Sequence, residues 1–495
     1  MKKGRLLYSL LIIFLFVVSL VPRIYKLQST EIYPDEITWL VRSRESFLAL
    51  KTGNLNYFKN GWWKRPNDTE AINLPTAIIS GASVFFLAKD QPTHYSLNIF
   101  PDYIAARIAI AAINSLFIVV FFLIVKKIIN SYPIAVLGAL MLSLDPTYLA
   151  LSRWFLPDSF LAIWIFLSMS SYFFIKKNLP SVILSSLFLT LAFLTKPTAI
   201  LVLIPFLLFS PLKFVFTLPT FAVFTQFLWL GQEGYFGWKI IEYLLRQFRL
   251  AQEPFTTFFN GKVTTNPPFY YYIYQLITRL PLLPLAALAI LPFNLKIKQK
   301  ILSKKLLINI VLFLLIYVLA FSLSTKKLGI RYIFVIFPWI YFFAGISIVA
   351  IVKKSKLIYK ILLSFVFIAY YAGLTIYFFP NYYLYYNLLA NGPFKAQKYD
   401  LVGLCMGAKD SIHFLERRYP EIKSVAYLGC NKTVIPYYSS IKVSTDWKNE
   451  KYVIVEESFR TLTPDNEAVG YYKTKSPIWI NCSKGIILSR IYINK

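Results

Sequence analysis

The feature that most constrains this chain is a succession of apolar runs between residues 6 and 379. Each is close to the length an α-helix needs to cross the hydrocarbon layer, about 20 residues. Read by hydropathy, about eleven runs qualify. They cover residues 6–26, 103–126, 131–147, 152–175, 180–196, 197–212, 214–231, 280–295, 305–324, 330–352 and 357–379. Charged residues make up only 15% of the chain and hydrophobic residues 57%, whereas soluble domains carry about 25% charge. An ordinary soluble core is excluded, and an α-helical polytopic membrane protein is expected. Val21-Pro22-Arg23-Ile24-Tyr25 follows the first run in place of a small-residue cleavage site, so that run reads as a retained helix.

The chain has 53 Lys+Arg against 23 Asp+Glu, a formal net charge of +30. Such an excess suggests nucleic acid until the basic residues are located. With the N-terminus in the cytoplasm and the runs alternating, the cytoplasmic side receives Lys2, Lys3 and Arg5, then Lys126 and Lys127, Lys176 and Lys177, and Lys213. It also receives Lys296, Lys298, Lys300, Lys304 and Lys305, and finally Lys353, Lys354 and Lys356. None of these segments contains an Asp or Glu. This is the positive-inside pattern; the basic excess is topogenic, the bilayer is the expected partner and nucleic acid is not. An odd span count places the C-terminus outside the cytoplasm.

The expected organisation is a transmembrane module over residues 1–394 and an extracytoplasmic α/β domain over 395–495. The module has two large outer loops, 27–102 and 232–279. In the outer domain, residues 407–416 have helical spacing, and 424–428, 452–455 and 486–493 are β-branched or aromatic runs. The apolar stretch 74–88 is short for a span, and 35–50 is amphipathic; both read as interfacial helices. The three cysteines, Cys405, Cys430 and Cys482, all fall in the outer domain. A disulfide is permitted there, and one pair plus a thiol or three thiols both remain open.

Charged residues at helix ends facing a cavity in the membrane are costly and are functional candidates. In this topology Asp35, Glu36, Asp145, Arg153, Asp158, Lys196, Lys326, Lys327 and Arg331 all fall on the outer face. Carboxylates beside cations suit a base acting on a hydroxyl next to a bound anionic phosphate. Each also has a structural reading. Asp35 could cap the helix that follows Pro34, Arg153 could pair with Asp158, Lys196 and Arg331 could snorkel, and Lys326 and Lys327 could be solvated or face lipid. His94 and His413 are too few for a zinc site, so any metal would be a hard cation, Mg or Mn, on Asp35, Glu36 and Asp158.

Four sequence markers then carry a resemblance: Tyr33-Pro34-Asp35-Glu36, Ser152-Arg153-Trp154-Phe155-Leu156-Pro157-Asp158, Leu194-Thr195-Lys196-Pro197 and Lys327-Leu328-Gly329-Ile330-Arg331-Tyr332. Their order and common side resemble membrane glycosyltransferases with the GT-C fold, specifically glycosyltransferase family 39, the protein O-mannosyltransferase and aminoarabinose transferase type. Asn381-Tyr382-Tyr383-Leu384-Tyr385-Tyr386-Asn387 is similar to the segment after the last span in prokaryotic members. The resemblance implies a polyprenyl-phosphate sugar donor and a hydroxyl acceptor on a protein, lipid or glycan. It implies Asp35 as base with Glu36 in support, Arg153 and Asp158 shaping the same cavity with Asp158 among the catalytic residues, and Lys196, Arg331, Arg153 and Lys327 serving the donor phosphate. A transporter or flippase for lipid-linked glycans, or a non-catalytic binder of them, is the alternative; no internal repeat of the transporter kind is found.

Overall fold

The structure, a computed structural model, describes residues 2–53, 103–229, 236–294, 303–353 and 355–494. The expected interfacial helix at 74–88 lies outside the described residues. Helix α1 (Lys2–Ile24) leads by a short turn to α2 (Pro34–Thr52), the amphipathic segment expected over 35–50. There follow α3 (Tyr103–Ile129), α4 (Tyr132–Leu144), the short α5 (Pro146–Leu151), α6 (Pro157–Phe174) and α7 (Asn178–Thr195). A 3-10 turn, Pro197–Val202, continues into α8 (Leu203–Phe209), then α9 (Pro211–Leu228) and α10 (Phe236–Gln252).

The antiparallel hairpin β1 (Thr257–Phe259) and β2 (Lys262–Thr264) precedes α11 (Tyr271–Arg279) and α12 (Leu282–Ile290). The module closes with α13 (Lys304–Leu323), a 3-10 turn Ile330–Ile336 running into α14 (Phe337–Val352), and α15 (Leu357–Phe378).

Every expected run is helical, but the described residues contain seven single helices long and apolar enough to span, or eight if a bent pair counts as one. The other expected runs, over α4, α6, α8 and the α11–α12 pair, are helices that are shorter, bent or less apolar. Tyr132–Leu144 and Pro197–Phe209 are short, and α11 and α12 meet at 114°. The helix α6 falls outside that set: Asp158 stands in its first turn, and Ser159, Ser168, Ser170 and Ser171 are buried along it.

The centre of the module is α14, whose residues 337–347 are all buried. It crosses α4 backbone to backbone: a Cβ on Gly345 would stand 2.9 Å from Ile134 O, and one on Gly138 3.1 Å from Tyr341 O. Small residues permit this approach where helices pack without a hydrophobic driving force. At the periphery, α15 buries only Phe367, Tyr371 and Phe378.

After a short helix α16 (Gly392–Ala396), the C-terminal domain begins its regular structure with α17 (Ala408–Arg418). Its strands are β3 (Ser424–Leu428), β4 (Lys442–Ser444), β5 (Tyr452–Glu456), β6 (Trp479–Ser483) and β7 (Ile486–Ile493). Helices α18 (Glu457–Leu462) and α19 (Glu467–Lys473) connect β5 to β6. The sheet order is β4-β3-β5-β7-β6, parallel among the first three strands and antiparallel thereafter.

Strand alternation splits the domain's apolar residues. Val425, Tyr427 and Ile454 pack with Ile412 and Leu415 of α17, while Ala426, Leu428, Val453 and Val455 pack with Ala468 and Tyr472 of α19. Ile32, just before α2, joins the first cluster. Glu31 Oε2 accepts from Gly407 N at 2.6 Å, and Ile32 N donates to Tyr438 Oη at 2.6 Å. The domain is therefore seated on the chain that enters the functional region. Cys405 and Cys430 form a disulfide and Cys482 is a free, exposed thiol.

Candidate active site

A cavity of about 210 Å³ opens where the first turn of α2 meets the start of α6. Asp35, Thr38, Trp39, Pro157, Asp158, Lys196, Arg331 and Tyr332 line it. Asp35, Thr38 and Trp39 are spaced i, i+3, i+4, which places them on one helix face. Pro34 at the helix start is tolerated because the first N–H groups lack intrahelical partners. The carboxylates of Asp35 and Asp158 both stand in first turns, where the helix dipole favours a negative charge. Lys196 caps the C-terminal end of α7, where a positive charge is favoured.

The polar groups pair across the cavity. Arg331 Nη2 is 2.7 Å from Asp35 Oδ2, and Lys196 Nζ is 2.6 Å from Asp158 Oδ1. The Asp35 side chain is 47% exposed and that of Asp158 only 3%. Tyrosines flank the cations: Arg331 Cζ lies 5.2 Å from the Tyr33 ring centroid, and Lys196 Nζ 5.0 Å from that of Tyr332. Arg331 Nε is buried with no hydrogen-bond partner. Gly329 has φ +79°, ψ −177°, a conformation open essentially to glycine, and directs the chain into the turn that carries Arg331.

Four residues expected at the site stand elsewhere. Glu36 is fully buried and faces away from the cavity: Arg107 Nε and Nη2 each donate to it at 2.7 Å, and Phe155 N donates at 2.8 Å. Its charge is satisfied in the core, so the expectation that it supports Asp35 within the cavity is corrected. Arg153 does not pair with Asp158. Its guanidinium donates to Thr30 Oγ1 at 2.8 Å and to the carbonyls of Pro22 (2.5 Å) and Tyr25 (3.1 Å), fastening the turn after α1.

Lys327 is buried and neither solvated nor in the cavity lining; its ammonium donates to Ser324 O at 2.7 Å. Asp145 is likewise buried, accepting from Tyr148 N at 2.7 Å and from Tyr341 Oη. Asp35, Glu36 and Asp158 therefore do not form a common ligand set. Among the described residues no group of three or more His, Cys, Asp or Glu stands together as a metal site would require.

Sequence reasoning overlooked Thr38 and Trp39. Their spacing from Asp35 was the available signal, and amphipathicity assigned that helix to the interface without choosing its cavity face.

Residues 81–247 match the family model described as dolichyl-phosphate-mannose-protein mannosyltransferase. ArnT from Cupriavidus metallidurans in the apo state superposes with a TM-score of 0.52 at 12% identity, covering 99% of this chain and 98% of that one. The same enzyme bound to undecaprenyl phosphate gives a TM-score of 0.49 at 13% identity with the same coverage. No curated protein sequence matches the chain. The chain thus has the GT-C fold of membrane glycosyltransferases and, over residues 81–247, the sequence pattern of the protein mannosyltransferase family.

Proposed function

We propose that the protein transfers a sugar from a polyprenyl-phosphate donor to a hydroxyl acceptor on the extracytoplasmic face, with inversion at the anomeric carbon. The observation that carries this reading is the pairing of two carboxylates with two cations around one cavity, one carboxylate open and one closed. The family matched over residues 81–247 takes its sugar from dolichyl phosphate, which supports a donor of that chemical class.

Asp35 is the exposed carboxylate and the one an acceptor reaches. It takes the acceptor proton; the acceptor oxygen attacks the anomeric carbon; the bond from that carbon to the phosphate oxygen breaks, and the electron pair leaves with the phosphate. Arg331 and Lys196 stabilise the leaving charge. Arg331 has a free Nε–H to offer, and a phosphate drawing its guanidinium away from Asp35 releases that carboxylate to act as base. Donor binding and base activation are therefore coupled. Asp158, closed off behind Lys196, positions the ammonium.

The test is transfer from a panel of radiolabelled polyprenyl-phosphate sugars by purified wild type and Asp35→Asn, with a membrane extract as acceptor and protein and lipid fractions counted separately. Loss of transfer with donor binding retained supports the reading, and the labelled fraction names the acceptor class. Binding without transfer by wild type overturns it in favour of a carrier or binder of lipid-linked glycans.

A further inference from the structure

Helix α15 stands off from the bundle, with an apolar groove on each side; the two grooves meet at Phe367. The groove against α1 has a volume of about 920 Å³ and is lined from Phe14 to Tyr382 without a single charged residue. Any hydrocarbon chain fills it equally well. The groove between α15, α12 and α14 is different. It has a volume of about 660 Å³, apolar walls that include Leu283, Ala286 and Val349, and two lysines, Lys353 and Lys360. No carboxylate lines it.

Lys353 caps the end of α14, and Lys360 lies in the first turn of α15, on either side of the short connection between the two helices. Both stand on the lysine-rich face, opposite the Asp35 cavity. From Lys360 the groove runs along α15 to Tyr370, about 15 Å at the helical rise of 1.5 Å per residue. There Leu282 N donates to Tyr370 Oη at 3.0 Å, tying α12 to α15. The groove is an apolar slot with two cations at one end.

We propose that this groove is a binding site for an anionic phospholipid of the cytoplasmic leaflet, its phosphate between Lys353 and Lys360 and one acyl chain along the wall of α15. Charge complementarity selects that occupant over a zwitterionic lipid. Basic pockets between membrane helices on the cytoplasmic side suit such headgroups. The bound lipid fills the gap between α15 and the bundle and splints the short helix α12. The site is independent of sugar transfer, and its test needs no turnover.

The experiment is native mass spectrometry of the full-length protein released from nanodiscs of phosphatidylcholine containing phosphatidylglycerol. Wild type is compared with Lys353→Ala/Lys360→Ala, with Ala286→Trp and with Lys126→Ala/Lys127→Ala. Ala286 is exposed on the groove wall, so the tryptophan obstructs the slot while leaving both lysines in place. Wild type is expected to retain phosphatidylglycerol selectively. The double lysine variant should lose about thirtyfold in apparent affinity, and Ala286→Trp should also lose retention. Removing Lys126 and Lys127, cations of the same face that do not line the groove, should change nothing.

Equal retention of both phospholipids by wild type overturns the proposal, and that arm needs no variant to fold. Unchanged retention in both groove variants overturns it as well, leaving the lysines topogenic. Displacement of phosphatidylglycerol by an equimolar polyprenyl phosphate also overturns it, by assigning the groove to the donor lipid.

Discussion

Arg331 Nη2 stands 2.7 Å from Asp35 Oδ2, so the proposed base is held by the same cation that is proposed to receive the donor phosphate. Asp35→Asn is expected to lower kcat by a factor on the order of 10² to 10⁴ while leaving donor binding intact. Arg331→Met is expected to weaken donor binding instead. Filter binding of a labelled polyprenyl-phosphate sugar beside single-turnover transfer separates the two. Loss of donor binding in Asp35→Asn would count against the assignment.

Glu36, next in sequence to Asp35, should behave in the opposite way. Its pairing with Arg107 is fully buried, and removing one partner of a buried pair costs about 3 to 5 kcal/mol. Glu36→Ala is therefore expected to unfold at markedly lower temperature than wild type. Asp35→Asn, whose side chain is half exposed, should shift stability by less than about 1 kcal/mol. Thermal melts followed by intrinsic fluorescence distinguish a core carboxylate from a cavity carboxylate.

The conformation of Gly329 yields a third expectation. An alanine there carries its Cβ at φ +79°, 3.4 Å from Tyr383 Oη, and pays about 1 to 3 kcal/mol of backbone strain. Relief of that strain moves Arg331, two residues on. Gly329→Ala should raise the donor Kd, and titration calorimetry with the lipid donor reads it; an unchanged Kd would show that Arg331 is held independently of this turn.

The seat of the C-terminal domain is expected to depend on pH. Burial pushes Glu31 up to about 8, with Asp410 and Glu456 acting in the same direction and the hydrogen bond from Gly407 N opposing it. Burial likewise pushes Glu456 up to about 7. Carboxyls raised on folding hold protons that the unfolded chain releases near its ordinary value, so stability falls as pH rises from about 4.5 through the folded values. The outer domain should be most firmly seated below pH 5 and loosen toward pH 8. Limited proteolysis across that range checks it, and Glu31→Gln should flatten the profile.

Reduction of the disulfide between Cys405 and Cys430, 25 residues apart, should destabilise the outer domain by about 2 to 4 kcal/mol. A melt with and without reductant measures it; with Cys482 replaced by serine the difference should persist.

The reach of the sequence ended at the direction of side chains. Apolar length located the helices, and β-branched and aromatic runs placed three of the five strands of the C-terminal sheet. Hydropathy alone does not register the break at Pro146, the 3-10 turn at Pro197 or the bend before α12. At the site, Asp35, Asp158, Lys196 and Arg331 converge as their shared face implied. Glu36 and Arg153 share that end of the helices, but their partners, Arg107 and the carbonyls around the end of α1, are brought to them by tertiary packing. A charge at a helix end announces a cost; which neighbour meets it depends on how the helices rotate.

The bond from Phe155 N to Glu36 couples two distant stretches of chain. Through it and Arg107, the helix start bearing Asp35 is fixed to the turn that precedes Asp158. A carboxylate outside the cavity lining thus acts as the gauge of the cavity. Thr38 and Trp39 line the cavity on the same helix face as Asp35 without taking part in that linkage. The distance between the Asp35 and Asp158 helix starts is therefore set by a residue that does not line the cavity.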